Sequence, residues 1–256
     1  MGLCHKEKKF KVVEIKPVNQ INNNTNLMPN FYMNNNNIIQ NYYNKNINNY
    51  LSLSYDFLKY GCNIPENMFD NRGDCLTGWG SGKSGPRNYL KDYIPPLGWT
   101  GVGLKVLNLY DNGDNTWLGR SNNNNSEWYI GYHGTKQIYS VRGIVLNGFE
   151  KGPSQGCLNY ININPLSNHI SRTVREGVYF TPNINEAKKY TADIPYNGYN
   201  YKIVFMCRIN PYTVQICNVN NGEEYWIVNG NNINNIFDEV RPYRILLRIE
   251  KNQNFY

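Results

Sequence analysis

Three short segments of the 256-residue chain carry side chains suited to gripping a ligand. They are Tyr132-His133-Gly134-Thr135, Glu176-Gly177-Val178-Tyr179-Phe180-Thr181 and Ala187-Lys188-Lys189-Tyr190. A neutral histidine ring offers one nitrogen that donates and one that accepts. The glycine beside it has no Cβ, so a ligand can approach the backbone there closely. Tyr179 and Tyr190 stand eleven positions apart, and tyrosine rings make flat apolar walls with a polar tip. A fourth segment, Glu223-Glu224-Tyr225-Trp226-Ile227-Val228, supplies carboxylates. On a strand, adjacent residues point to opposite faces, so only one of Glu223 and Glu224 reaches a given site. Glu224 is favoured, because alternation then puts Trp226 and Val228 on its face. A one-residue slip would present Tyr225 instead. Singly, each segment also fits ordinary core packing; their order and spacing are the informative part.

Other chemistries find no support. Gly82-Lys83-Ser84 looks like the end of a phosphate-binding loop, but Thr77 stands where that loop needs its first glycine. The six cysteines, Cys4, Cys62, Cys75, Cys157, Cys207 and Cys217, form no C-x-x-C pair. No two histidines have metal spacing, so no metal site is expected.

These residues need strands and short helices to hold them. Residues 128–132 read as a strand that ends at His133, and residues 137–146 as a helix. Residues 178–181 form a short strand. Pro182 then opens a helix over residues 184–190, at a position where proline is tolerated. Apolar runs predict strands over residues 201–209, 212–218, 224–228 and 243–249, and alternation predicts another over 103–110. Asp111-Asn112-Gly113-Asp114 is a turn signal, and residues 93–99 read as extended. Many strands and few helices predict an α+β class with antiparallel sheets.

In this order and spacing the segments resemble the ADP-ribosyltransferase superfamily. The likeness is to its diphtheria-toxin-like branch, which includes the poly(ADP-ribose) polymerases and tankyrases. Members carry His-Gly-Ser or His-Gly-Thr on one strand and Gly-Ile-Tyr-Phe about 45 residues later. A second Tyr follows the first by eleven, and Glu-Tyr-(Ile/Val)-(Ile/Val) lies on a late strand. Here those elements match His133-Gly134-Thr135, Gly177-Val178-Tyr179-Phe180, Tyr190 and Glu224-Tyr225-Trp226-Ile227-Val228. Arg241-Pro242-Tyr243-Arg244-Ile245-Leu246-Leu247 fits the closing strand. The likeness covers about residues 85–250.

The resemblance implies an ADP-ribosyltransferase-like fold of two packed, mainly antiparallel sheets. It implies NAD as co-substrate, with no metal. His133, Tyr179 and Glu224 would be catalytic. His133, Gly134, Thr135, Tyr179 and Tyr190 would bind NAD. In these roles His133 bonds the adenosine ribose and Gly134 holds the nicotinamide amide through its backbone. Thr135 contacts the nicotinamide ribose, and the two tyrosines bracket the ring. Glu224 binds the ribose 2′-hydroxyl. Cleaving the glycosidic bond of NAD develops an oxocarbenium ion, which a nearby carboxylate stabilises. Ala187 departs from the family, many members having a serine there that bonds the nicotinamide amide. The expected activity is transfer of a single ADP-ribose to a protein or nucleic-acid acceptor, because no features for polymer synthesis are recognisable. The alternative is an inactive NAD- or ADP-ribose-binding module of the same fold. A tRNA 2′-phosphotransferase-like reading would need an Arg-His-Arg-Arg set, which has no match here.

Bulk properties fit one domain over residues 51–256 behind a tail over 1–50. The tail holds a β-like run at residues 10–15 and an Asn-rich stretch at 19–49, of a kind that buries little surface. The net charge of +7 favours polyanion partners, but the basic residues are dense only between Lys6 and Lys11. Met1-Gly2-Leu3-Cys4 followed by lysines resembles an acylated membrane anchor, with Lys6 where that motif prefers Ser or Thr. No signal peptide and no apolar run of about 18 residues is visible. The expected setting is intracellular and cytoplasmic with reduced thiols, with membrane association through Gly2 and Cys4 as an option.

Overall fold

A computed structural model describes residues 49–75, 96–119, 126–150, 162–163, 170–171, 177–218, 224–228 and 235–252. All of them lie within one compact unit, Tyr42–Tyr256. The tail with Gly2 and Cys4, the Gly82-Lys83-Ser84 segment, residues 93–95, Glu176 and Glu223 lie outside the described residues.

The class is α+β. The strands in chain order are β1 (Thr100–Gly103), β2 (Tyr129–Thr135), β3 (Asn162–Ile163), β4 (Ile170–Ser171), β5 (Val178–Phe180), β6 (Ile194–Tyr196), β7 (Tyr199–Ile209), β8 (Gln215–Asn218), β9 (Glu224–Val228) and β10 (Val240–Lys251). One sheet runs β1-β10-β7-β2, with β6 also paired to β7. The other runs β4-β3-β8-β9-β5. Every pairing between these strands is antiparallel. The helices are α1 (Ile138–Asn147) and α2 (Ile184–Lys188). Residues 49–56 are also helical and widen into a π-turn at Phe57–Gly61.

β7 is central and buried from Ile203 to Ile209, which explains the apolar run from Ile203 to Cys207. One face of its sheet carries Tyr129, Ile203, Phe205, Cys207, Ile245 and Leu247. These pack with Val178, Phe180, Trp226 and Val228 of the second sheet. The other face carries Ile130, Tyr132, Val204, Met206 and Leu246, covered by Trp99 and by Ile184 and Ala187 of α2. The two sheets meet where Tyr132 and Thr181 exchange backbone hydrogen bonds of 2.8 and 3.0 Å.

Two buried arginines stand opposite each other, Arg208 on β7 and Arg241 on β10. A buried guanidinium must be paired to be tolerated. Arg241 grips Asp111 with both amino groups, at 2.6 and 2.8 Å, and donates Nε–H to the Phe237 carbonyl. Its guanidinium lies over the rings of Tyr110, Trp117 and Trp128 at 4.5, 4.8 and 4.2 Å. Arg208 donates to Glu127 at 2.8 Å and to the carbonyls of Trp128 and Leu118. Both arginines thus hold residues 110–118 and 127–128 against the sheet.

Several boundaries differ from the sequence expectation. No strand spans residues 103–110: β1 ends at Gly103, and residues 107–109 turn. Asn108 adopts φ 60°, a left-handed conformation that Asn tolerates. The strand expected from Tyr212 begins at Gln215. Asn210 closes a turn first, accepting the N–H of Tyr212 on its side chain and that of Val214 on its carbonyl. The second expected helix stops at Lys188, so Tyr190 lies in the turn that follows.

Candidate functional site

β2 runs on through His133, Gly134 and Thr135, so the motif forms the end of a strand. The His133 ring packs edge-on against Phe149, with centroids 5.0 Å apart, and beside Phe180 at 5.6 Å. Its Nδ1 lies 2.9 Å from the Tyr179 carbonyl oxygen. A carbonyl can only accept, so Nδ1 carries the proton. Burial lowers the pKa of His133, and the Tyr179 carbonyl opposes this more weakly. The ring is therefore neutral, and Nε2 presents a lone pair.

Gly134 meets the site through its backbone. Antiparallel ladders alternate, so residues two apart direct their N–H and C=O the same way. Those of Tyr132 point away from β7 to Thr181. Those of Gly134 therefore also point away from β7. A Cβ at Gly134 would collide with the Ala187 carbonyl oxygen, so glycine is also what lets α2 pack onto β2. Thr135 is buried, and its Oγ1 accepts the Gln137 N–H at 3.4 Å.

These groups border a cleft with about 330 Å³ of open space. Its walls include His133, Gly134, Tyr179, Ala187, Tyr190 and Tyr225, with Tyr132, Phe180 and Thr181 at the back. Tyr190 and Tyr225 meet edge-on, their ring planes 85° apart and their hydroxyls 3.2 Å apart.

The structure thus brings together His133, Gly134, Tyr179 and Tyr190, which the sequence singled out. It does not bring Thr135 or Glu224 to the cleft wall. Glu224 does share a face of β9 with Trp226 and Val228, but that is the core face. Its Oε1 accepts the Trp226 indole N–H at 2.6 Å. The opposite face of β9 carries Tyr225 and Ile227, which cluster with Tyr179. Tyr225 is the wall residue the sequence reading did not select. The pairing of Tyr179 with Ile227 decides this, and it is a property of sheet register rather than of any motif.

A larger cleft, with about 710 Å³ of open space, lies elsewhere, beside Asp70, Arg72, Tyr243, Arg208 and Arg244. Its guanidiniums already bond Asp70, Glu127 and the Gly73 carbonyl. It contains none of the residues expected to bind NAD or to be catalytic. Among the described residues, no group of three or more His, Cys, Asp or Glu could hold a metal ion. No helix among them is long and apolar enough to cross a membrane. No protein-family model matches the chain, and no curated protein matches it.

Proposed function

We propose that the chain is an NAD-dependent ADP-ribosyltransferase with the ADP-ribosyltransferase-like fold, moving one ADP-ribose onto a protein or nucleic-acid acceptor. The observation that carries this reading is the convergence of His133, Gly134, Tyr179 and Tyr190 on one cleft. They come from three separate segments of the chain. Tyr179 and Tyr190 bracket the nicotinamide ring. The outward N–H and C=O of Gly134 suit a primary carboxamide, which both donates and accepts. The His133 Nε2 lone pair accepts a ribose hydroxyl. Ala187 adds no side-chain hydrogen bond, so the amide is held by backbone alone. In the transfer, the C1′–N bond of the nicotinamide ribose breaks and its electron pair leaves with nicotinamide, which becomes neutral. The acceptor nucleophile bonds to C1′ and releases its proton to solvent. Exclusion of water by the aromatic walls favours transfer over hydrolysis.

A second reading is a module of the same fold that binds NAD or ADP-ribose without turnover. The commitment of the Glu224 carboxylate to Trp226 favours it. Incubation with labelled NAD separates the two. The transferase reading expects label on the protein or on a lysate acceptor, release of nicotinamide, and loss of both in His133→Ala. Binding of NAD by calorimetry with neither product leaves the module. Absence of binding refutes both.

A further inference from the structure

We infer that Tyr225, not Glu224, is the side chain of β9 that meets the donor's ribose, and that it does so through the hydroxyl it pairs with Tyr190. The inference rests on the NAD reading above.

β9 is fixed by its neighbours on both sides. Tyr179 faces Ile227 and Phe180 faces Trp226 across β5, while Cys217 faces Tyr225 across β8. Side chains alternate with a period of two, so Tyr225 and Ile227 share the Tyr179 face. Tyr225 then stands about 7 Å along the strand from Ile227, on the wall of the cleft. Bringing Glu224 there would require a one-residue slip. Such a slip would turn Trp226 and Val228, both buried, out of the core. It would also break the bond from the Trp226 indole to the Glu224 carboxylate. Glu224 is therefore a positioning residue for Trp226.

The Tyr190 and Tyr225 hydroxyls make a polar edge on an otherwise aromatic slot. In a hydroxyl pair one group donates to the other. A tyrosine hydroxyl can both donate and accept. That pattern suits a sugar hydroxyl, which donates and accepts at once. The ligand class is a planar heteroaromatic ring that carries a ribose, with the ring between Tyr179 and Tyr190 and the ribose at the Tyr190 and Tyr225 hydroxyls.

The test is calorimetric titration of the full chain with NAD, alongside thermal unfolding. Tyr225→Phe should weaken NAD roughly three- to tenfold, the worth of one hydrogen bond, and leave the melting temperature unchanged. Glu224→Leu should lower the melting temperature while NAD affinity stays within about twofold, because the support of Trp226 is lost and the cleft wall is left as it was. Glu224→Gln should preserve both, since an amide carbonyl still accepts the indole N–H. Should Glu224→Leu fail to fold, Glu224→Gln carries the comparison. The inference is overturned if Tyr225→Phe binds as wild type does. It is equally overturned if Glu224→Gln loses about tenfold in affinity with an unchanged melting temperature. Wild-type protein that does not bind NAD at all removes the functional reading itself, an outcome distinct from either of these.

Discussion

The His133 ring keeps its proton on Nδ1 because the Tyr179 carbonyl faces it, and burial keeps a second proton off. A consequence for stability follows from linkage. In the unfolded chain the ring takes up a proton as pH falls through its ordinary value of 6.5. In the folded chain it resists protonation until a lower pH. Between those two values the unfolded state binds more protons, so stability falls as pH falls. Above 6.5 the contribution is complete. Between about pH 7.5 and 5, wild type should lose more melting temperature than His133→Gln, whose side chain does not titrate. Equal losses in the two proteins would show that the ring is not held neutral by the fold. Ligand binding should follow the same direction, because a protonated Nε2 no longer accepts a hydrogen bond.

Among the elements, β2 and α2 meet so closely at Gly134 that no side chain fits between them. β2 cannot retreat, since β7 pairs with it along its full length. Gly134→Ala should therefore destabilise the protein by about 1–3 kcal/mol, read as a lowered denaturant midpoint. Gly143 offers the contrast. It lies within α1 with open space where a Cβ would be, and Gly143→Ala should stabilise by up to about 1 kcal/mol. If the two substitutions behave alike, close packing is not what the first glycine serves. Some of these elements are legible in the sequence alone and others are not. β7 and β10 were legible because long apolar runs announce buried strands. The residues 103–110 were misread because apolar side chains alternate there around a turning Asn108. Alternation correctly grouped Glu224 with Trp226 and Val228. It could not tell which face of β9 looks into the cleft, because that depends on the pairing of β9 with β5 and β8. The two-residue strands β3 and β4 leave no periodic trace at all. Nor did Arg208 and Arg241 announce their burial, since the partners that make it tolerable lie 81 and 130 positions away.

Among the described residues, the two buried guanidiniums are matched by carboxylates. Arg241 and Arg208 each face a carboxylate, so the net charge of +7 is not stored in the core pairs. Residues 111, 118, 127 and 128 are tied to the sheet through those two arginines. The cleft, by contrast, opens where β2 and β5 meet, and there the sheets are linked through the backbones of Tyr132 and Thr181. Their two amide protons therefore act as a paired gauge of that seam. Deuterium exchange at the two positions should be governed by one opening event, with matching rates. NAD seated beside the seam should slow both by a similar factor. Slowing at Tyr132 alone would mean that the ligand touches one sheet and leaves the seam as it was.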